Sequence, residues 1–200
     1  MHVSKGRKSV VTGQVETYRA RAIGTNVNAI SLLATDYLNH FNEALMLAEL
    51  LVDMPDMVDE FAAWQPKHYR DHFRDSGIAD RDLAIEAYDI SPMEYREPFD
   101  KTVSMINKQL TLLQKSLQID KETLLNGEKN EFLLSKCELI RTLIDKAGGI
   151  INGHLPETAS VAKQKALNEV SASASSEEKS VVKPPEGDTL DQADIDALFD

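Results

Sequence analysis

Apolar residues recur along the first three quarters of the chain at three- and four-residue spacing, and the strict alternation of a half-buried strand is absent, so the body is expected to be all-α. After a loose start over 1–12, a first long helix is expected from Gln14 to Val52, bent at Gly24. Its second half sets Ile30, Leu33, Ala34, Tyr37, Phe41, Ala44, Leu45, Ala48 and Val52 on one broad stripe. Punctuated pieces follow: a helix in "MPDMVDEFAAWQ" that stops before Pro66, a turn or two in "KHYRDHFRDSG" ending at Gly77, and a short helix in "DRDLAIEAY". Trp64, Tyr69 and Phe73 are placed to pin these pieces onto a larger core.

Two heptad seams come next. Phe99, Val103, Ile106, Leu110, Leu113, Leu117 and Leu124 form the first, which opens at Pro98 and stops at Asn126-Gly127. Leu133, Cys137, Ile140, Ile144 and Ala147 form the second, which ends at Gly148-Gly149. "SPME" at 91–94 carries the signature of a capping box with proline in the first turn. The tight break between the seams predicts a long antiparallel helical hairpin. Docking the first helix on it completes a helical bundle over 13–152.

Past Ile151 the pattern fades. Residues 153–188 are rich in Ser, Ala, Glu and Pro and lack the apolar content to be ordered by burial, so a disordered linker is expected. The final stretch, "TLDQADIDALFD" at 189–200, changes character again. Thr189 and Gln192 form a capping box, Ile195, Leu198 and Phe199 share one stripe, and Leu190, Ala193 and Ala197 make a smaller face. So short an amphipathic helix does not hold together alone, because nucleation is costly. It is expected to order by inserting its apolar stripe into a partner's groove.

Composition sharpens this picture. Net charge is -11, and residues 153–200 carry ten of the 33 acids against four of the 22 bases. A polyanion would be repelled at long range, which speaks against nucleic acid as a partner. The longest apolar run, "ALMLAELLV" at 44–52, is broken by Glu49 and is too short to span a bilayer, and no secretory signal is present, so a cytoplasmic protein is expected. A single cysteine, Cys137, excludes an intramolecular disulfide and suits a reducing compartment.

Candidate chemistry lies on the first long helix, where Asp36, Asn39, His40 and Glu43 fall on one face. Asp36, His40 and Glu43 have the spacing of inward-projecting metal ligands in helical bundles, and His68 with His72 offers a second pair one turn apart, a set suited to zinc, iron or manganese. Alternatively Asp36, Asn39 and Glu43 supply the acid and amide needed to pair with a lysine and orient water for hydrolysis of an acyl phosphate. Hydrogen bonding across a helix interface accounts for the same residues without any chemistry, and no organic cofactor is called for.

The run "LDQADIDALFD" resembles the N-terminal peptide of the flagellar switch protein FliM and is similar to the C-terminal peptide of the chemotaxis phosphatase CheZ, both of which bind the phosphorylated response regulator CheY. Leu190, Gln192, Asp194, Ile195, Asp196, Ala197 and Leu198 carry the match, with Phe199 in place of a leucine. The resemblance implies a CheY-like receiver domain as partner and a role in chemotaxis or flagellar signalling. It does not extend to the CheZ catalytic run, which is missing from both seams; in "ATDYLNHFNEAL", its faint echo, His40 stands where a glutamine belongs. A homodimer through the seams is the further assembly to be considered.

Overall fold

The computed structural model describes residues 4–119 and 130–155, with side chains over 13–118 and 130–155, all of them within the first of two units, Met1–Ser160. Every named element is helical, as the periodicity predicts: α1 (Ser4–Ala22), α2 (Tyr37–Leu50), a 3-10 turn (Pro55–Met57) leading into α3 (Val58–Ala63), α4 (Tyr69–Arg74), α5 (Arg81–Ile90), α6 (Met93–Ile119) and α7 (Asn130–Ile151). Among the described residues extended pairing is limited to one isolated bridge, Val27 to Ala34. None of the described helices is long and apolar enough to cross a membrane.

The expected first long helix is two helices with a folded loop between them. α1 begins at Ser4, inside the segment expected to be loose, and stops at Ala22. Gly24 takes φ +80, and Thr25 gives both its N–H and its hydroxyl to the Ala22 carbonyl, closing the helix end. Asn28 then offers the backbone an alternative to the helical ladder. Its side-chain oxygen accepts from the N–H of Ile30 and Ser31, while its own N–H and C=O bond to Leu33 and Leu32. Leu32 sits at φ +59, a left-handed conformation that costs a side-chain-bearing residue about 1–2 kcal/mol. Complete burial of its side chain offsets that by a similar amount.

The loop is tied into the body by buried bonds that sequence spacing does not show. Ser31 Oγ donates to the Ile151 carbonyl at 2.5 Å, Ser91 Oγ donates to the Ser31 carbonyl at 2.7 Å, and the Ala34 N–H donates to the Tyr69 hydroxyl at 2.7 Å. Leu33 and Ala34, expected on a helical stripe, are buried as expected but from the loop. Ile30, expected on the same stripe, is half-exposed.

α6 starts at Met93, ahead of Pro98, with the N–H groups of Tyr95 and Arg96 both bonded to the Pro92 carbonyl. Pro98 is thus inside the helix and forfeits one ladder bond near its start. The seam beyond it is as the heptads predict: Phe99, Ile106, Leu110, Leu113 and Leu117 are buried, and Val103 is half-buried. All the second-seam residues, Leu133, Cys137, Ile140, Ile144 and Ala147, are buried on α7, and α6 and α7 pack on each other more extensively than any other pair of described helices. Leu124 and the Asn126-Gly127 stop lie outside the described residues. Burial of each such Leu or Ile side chain contributes about 1.5–3 kcal/mol, and this periodic face is what turns two polar helices into a common core.

The second seam does not end at Gly148-Gly149. α7 runs through both to Ile151, and Gly153, at φ +88, ends it. Gly153 N–H bonds to the Ile150 carbonyl and His154 N–H to the Gly149 carbonyl, the paired bonds of a Schellman ending. Residues 153–155, expected to open the linker, therefore close the helix. The rest of the expected linker and the peptide 189–200 lie outside the described residues.

The short helices α3, α4 and α5 fold over α2 and α6 as a lid of aromatic side chains. Tyr37 meets Phe41 edge-on at 5.1 Å, Tyr69 lies 5.0 Å from Tyr37 and 4.8 Å from Phe73, and Tyr69 stacks on Tyr88 at 4.6 Å. Gln114, buried on α6, secures the end of α3 by donating from Nε2 to the carbonyls of Phe61 and Trp64, each at 2.8 Å.

Candidate functional site

α2 and α4 bring three of the sequence-predicted residues together. Asp36 occupies the N-cap position of α2 with helical torsions (φ -58, ψ -25), so its side chain makes no capping bond, and its Oδ2 is buried without a hydrogen-bond partner. One turn on, His40 stacks on the Trp64 indole at 4.7 Å, and Trp64 Nε1 donates to the His40 carbonyl at 3.1 Å. His72, from α4, lies 5.9 Å from the His40 ring and 5.5 Å from Tyr37. The Nε2 atoms of both histidines are buried and unpaired.

The electrostatics keep both imidazoles neutral. Burial lowers His40 to about 4, with the neighbouring His72 and Lys67 adding repulsion and a bond to the Gln65 backbone opposing it. His72 is also lowered, first by burial and then by Lys67, against the opposing influence of the Asp36 backbone and of the Asp36 and Asp75 charges. At neutral pH the cluster presents two imidazole lone pairs and one carboxylate oxygen from half-buried side chains beside a lysine. Such a group can accept N–H donors, while burial disfavours its taking up a proton.

The other candidates stand apart from it. Asn39 and Glu43 are exposed on α2, one turn from each other, and His68 is exposed at the start of α4, on the edge of a different cleft. Asp36, His40, Glu43, His68 and His72 therefore do not converge, and among the described residues no group of three or more His, Cys, Asp and Glu side chains is disposed to hold a metal ion. Asp36, Asn39 and Glu43 are likewise divided: the acid at 36 turns to the aromatic lid and the other two face outward. Cys137 is a buried seam residue whose thiol is pushed up to about 11, chiefly by burial.

A second concavity was not singled out by sequence spacing. It measures about 300 Å3 and is bordered by Tyr37, Tyr69, Tyr88 and Phe99 together with Asp100 and Asn107. Tyr88 donates to Asp100 Oδ1 at 2.8 Å, and its hydroxyl is pushed up to about 12, mainly by burial and by that carboxylate. The signal in the sequence is the polar line Asp100, Ser104, Asn107, which runs beside the apolar seam at helical spacing. Its significance depends on aromatic residues that α4 and α5 bring from elsewhere in the chain.

Comparison with protein-family models, with curated proteins and with solved structures gives no match.

Proposed function

We propose that this chain is a cytoplasmic, non-catalytic regulator whose residues 189–200 capture a CheY-like receiver domain, in its phosphorylated form, in chemotaxis or flagellar control. The observation that carries the reading is the run "LDQADIDALFD": a capping box, three aligned apolar anchors and acids without a single base, in the order found in receiver-binding peptides. The peptide orders as it docks. Ile195, Leu198 and Phe199 enter an apolar groove, and the aspartates select a basic rim.

On this reading α6 and α7 are the arms of an antiparallel hairpin turned at Asn126-Gly127, and the residues between the body and the peptide act as a leash. A flexible leash of about 30 residues reaches about 30 Å, which holds a captured receiver beside the body at roughly millimolar effective concentration. Titrating a peptide of residues 186–200 against a receiver, with and without an acyl-phosphate mimic, tests the proposal. Tighter binding in the presence of the mimic, weakened about tenfold by Ile195→Ala or Phe199→Ala, is expected from loss of a buried anchor. No binding in either state removes the proposal.

One observation favours a second reading, in which the same capture serves dephosphorylation. Asn39 and Glu43 are exposed one turn apart on α2 and so are open to a tethered receiver. An amide and a carboxylate at that spacing can orient a water at an acyl phosphate. Faster loss of receiver phosphate, abolished by Asn39→Ala or Glu43→Ala and restored to neither by excess receiver, would separate the phosphatase from the simple adaptor.

A further inference from the structure

The outer side of α6 and α7 carries apolar residues that the core does not bury. Met105 and Leu112 on α6 and Phe132 and Leu139 on α7 are each between 40 and 50% exposed. Leu112 and Phe132 border a groove of about 240 Å3, completed by Gln109, Leu113, Ser116 and Lys136. Met105 stands two turns before Leu112 and Leu139 two turns after Phe132, so each repeats its neighbour's helical face. Towards the other end of the same two helices Ser31 bonds to both Ile151 and Ser91, so the two steps lead the same way and prolong the groove.

Lysines alternate with these apolar residues. Lys101, Met105, Lys108, Leu112 and Lys115 step at four and three residues along α6, and no acid occurs from 101 to 118. On α7, Lys136 and Lys146 share the face of Phe132 and Leu139, whereas Glu131, Glu138 and Asp145 fall to one side of it. Lys101 pairs with Glu97 at 3.4 Å, and Lys136 Nζ stands 5.5 Å from the Phe132 ring centre. Lys108, Lys136 and Lys146 make no ion pair among the described residues. A basic strip of this kind stands out on a chain of net charge -11. Single exposed leucines need no explanation, but a contiguous line of apolar residues rimmed by charge marks a contact surface.

Charge decides what fits there. A second copy meeting this face symmetrically would set lysine against lysine. Nucleic acid offers no apolar stripe and is repelled by the chain as a whole. An anionic bilayer is repelled likewise and is too flat to fill a groove between two helices. A helix with an apolar stripe between acidic flanks meets both the anchors and the lysines. We propose that the outer groove between α6 and α7 docks an acidic amphipathic helix of a partner protein. Its apolar stripe packs on Met105, Leu112, Phe132 and Leu139, and its carboxylates pair with Lys108, Lys136 and Lys146. This site is separate from the one proposed for residues 189–200, and either can fail alone.

The test titrates the full chain into a fluorescein-labelled peptide of about 15 residues, with leucines at i, i+3, i+4, i+7 and i+11 and glutamates between them, and reads anisotropy. Saturation below about 100 μM is expected, with a scrambled peptide of the same composition and a version carrying lysine in place of glutamate each at least about tenfold weaker. Leu112→Ser with Phe132→Ser, and separately Lys108→Glu with Lys136→Glu, should each weaken binding about tenfold with far-UV circular dichroism unchanged. The charge pair keeps the test open if the serine pair does not fold. Added salt should weaken the native chain more than the charge pair, and Met46→Ser, exposed on α2, should bind as the native chain does. Deleting residues 189–200 should leave the affinity within about twofold. Equal binding of the scrambled peptide, undiminished binding by the charge pair, or no saturation would overturn the proposal. So would about a tenfold gain on the deletion, which would hand the groove to this chain's own acidic end, or sedimentation with phosphatidylserine vesicles in place of peptide binding, which would hand it to a membrane.

Discussion

Alanine at Gly148 and alanine at Gly153 are expected to move stability in opposite directions. Gly148 lies inside α7, where glycine costs about 0.8–1.0 kcal/mol relative to alanine. A Cβ there would come to 3.5 Å from Leu38 Cδ1, ordinary van der Waals contact, so nothing opposes the gain in helix propensity. Gly148→Ala should therefore stabilise by about 1 kcal/mol. Gly153 sits at φ +88, where a Cβ costs about 1–2 kcal/mol, and that Cβ would lie 3.2 Å from Ile30 Cγ2 and 3.4 Å from Ile30 Cδ1. Reduced freedom of the unfolded chain returns about 0.4–1 kcal/mol, leaving a net loss of about 1 kcal/mol, and more if Ile30 resists. Urea unfolding followed by far-UV circular dichroism reads both, provided the slope with denaturant is unchanged. For a domain of roughly 150 residues the matching shifts in melting temperature are about 2–4 °C up and down. Pairing Gly153→Ala with Ile30→Ala separates contact from backbone strain, because only the contact part is relieved. If Gly148→Ala destabilises, or both variants shift the same way, the placement of the helix end at Gly153 is wrong.

Acid should weaken the fold through the α2–α4 cluster. His40 is lowered in the folded state to about 4 from an ordinary value near 6.5, so its contribution is full above the ordinary value and is lost as pH falls from about 6.5 towards 4; His72 acts in the same direction. Half-burial limits the loss to about 2 kcal/mol, and it should appear as a steeper fall in urea midpoint between those pH values for the native chain than for His40→Gln, with the His40 ring resonance titrating near pH 4. Cys137, buried and with its thiol pushed up to about 11, should react slowly with a thiol reagent at pH 8 and rapidly once urea unfolds the chain; rapid reaction in the folded state would contradict the seam packing. Gln114→Met fills the same space without the two bonds to the end of α3, and should cost about 1–3 kcal/mol in urea unfolding, with loss of the Trp64 environment visible in fluorescence.

The candidate site was only partly legible before folding. Asp36 and His40 are one turn apart on paper and remain neighbours in space, because helical spacing is a local property. Spacing alone pairs His72 with His68, yet α4 turns His72 towards Asp36 and His40 and leaves His68 at the edge of another cleft. Glu43 shared the first pattern and is exposed, since a common helical face says nothing about which part of that face a neighbour covers.

The sequence by itself determined the class of structure and the two seams: apolar residues at heptad spacing can be buried together only on a helix, and from Phe99 to Leu117, with Val103 half-buried, and from Leu133 to Ala147 the seam residues are buried accordingly. Tertiary structure decided the two helix boundaries that apolar spacing misplaces. The loop between Ala22 and Tyr37 breaks an apparently continuous stripe because Ser31 bonds to Ile151 and Ser91, and Tyr69 receives the Ala34 N–H, all partners far along the chain. α7 likewise continues through Gly148-Gly149, whose low propensity is a cost of about 1 kcal/mol per residue that burial of Ala147, Ile150 and Ile151 exceeds. Local preference amounts to about a kilocalorie at each position, and a buried contact from elsewhere in the chain is worth more.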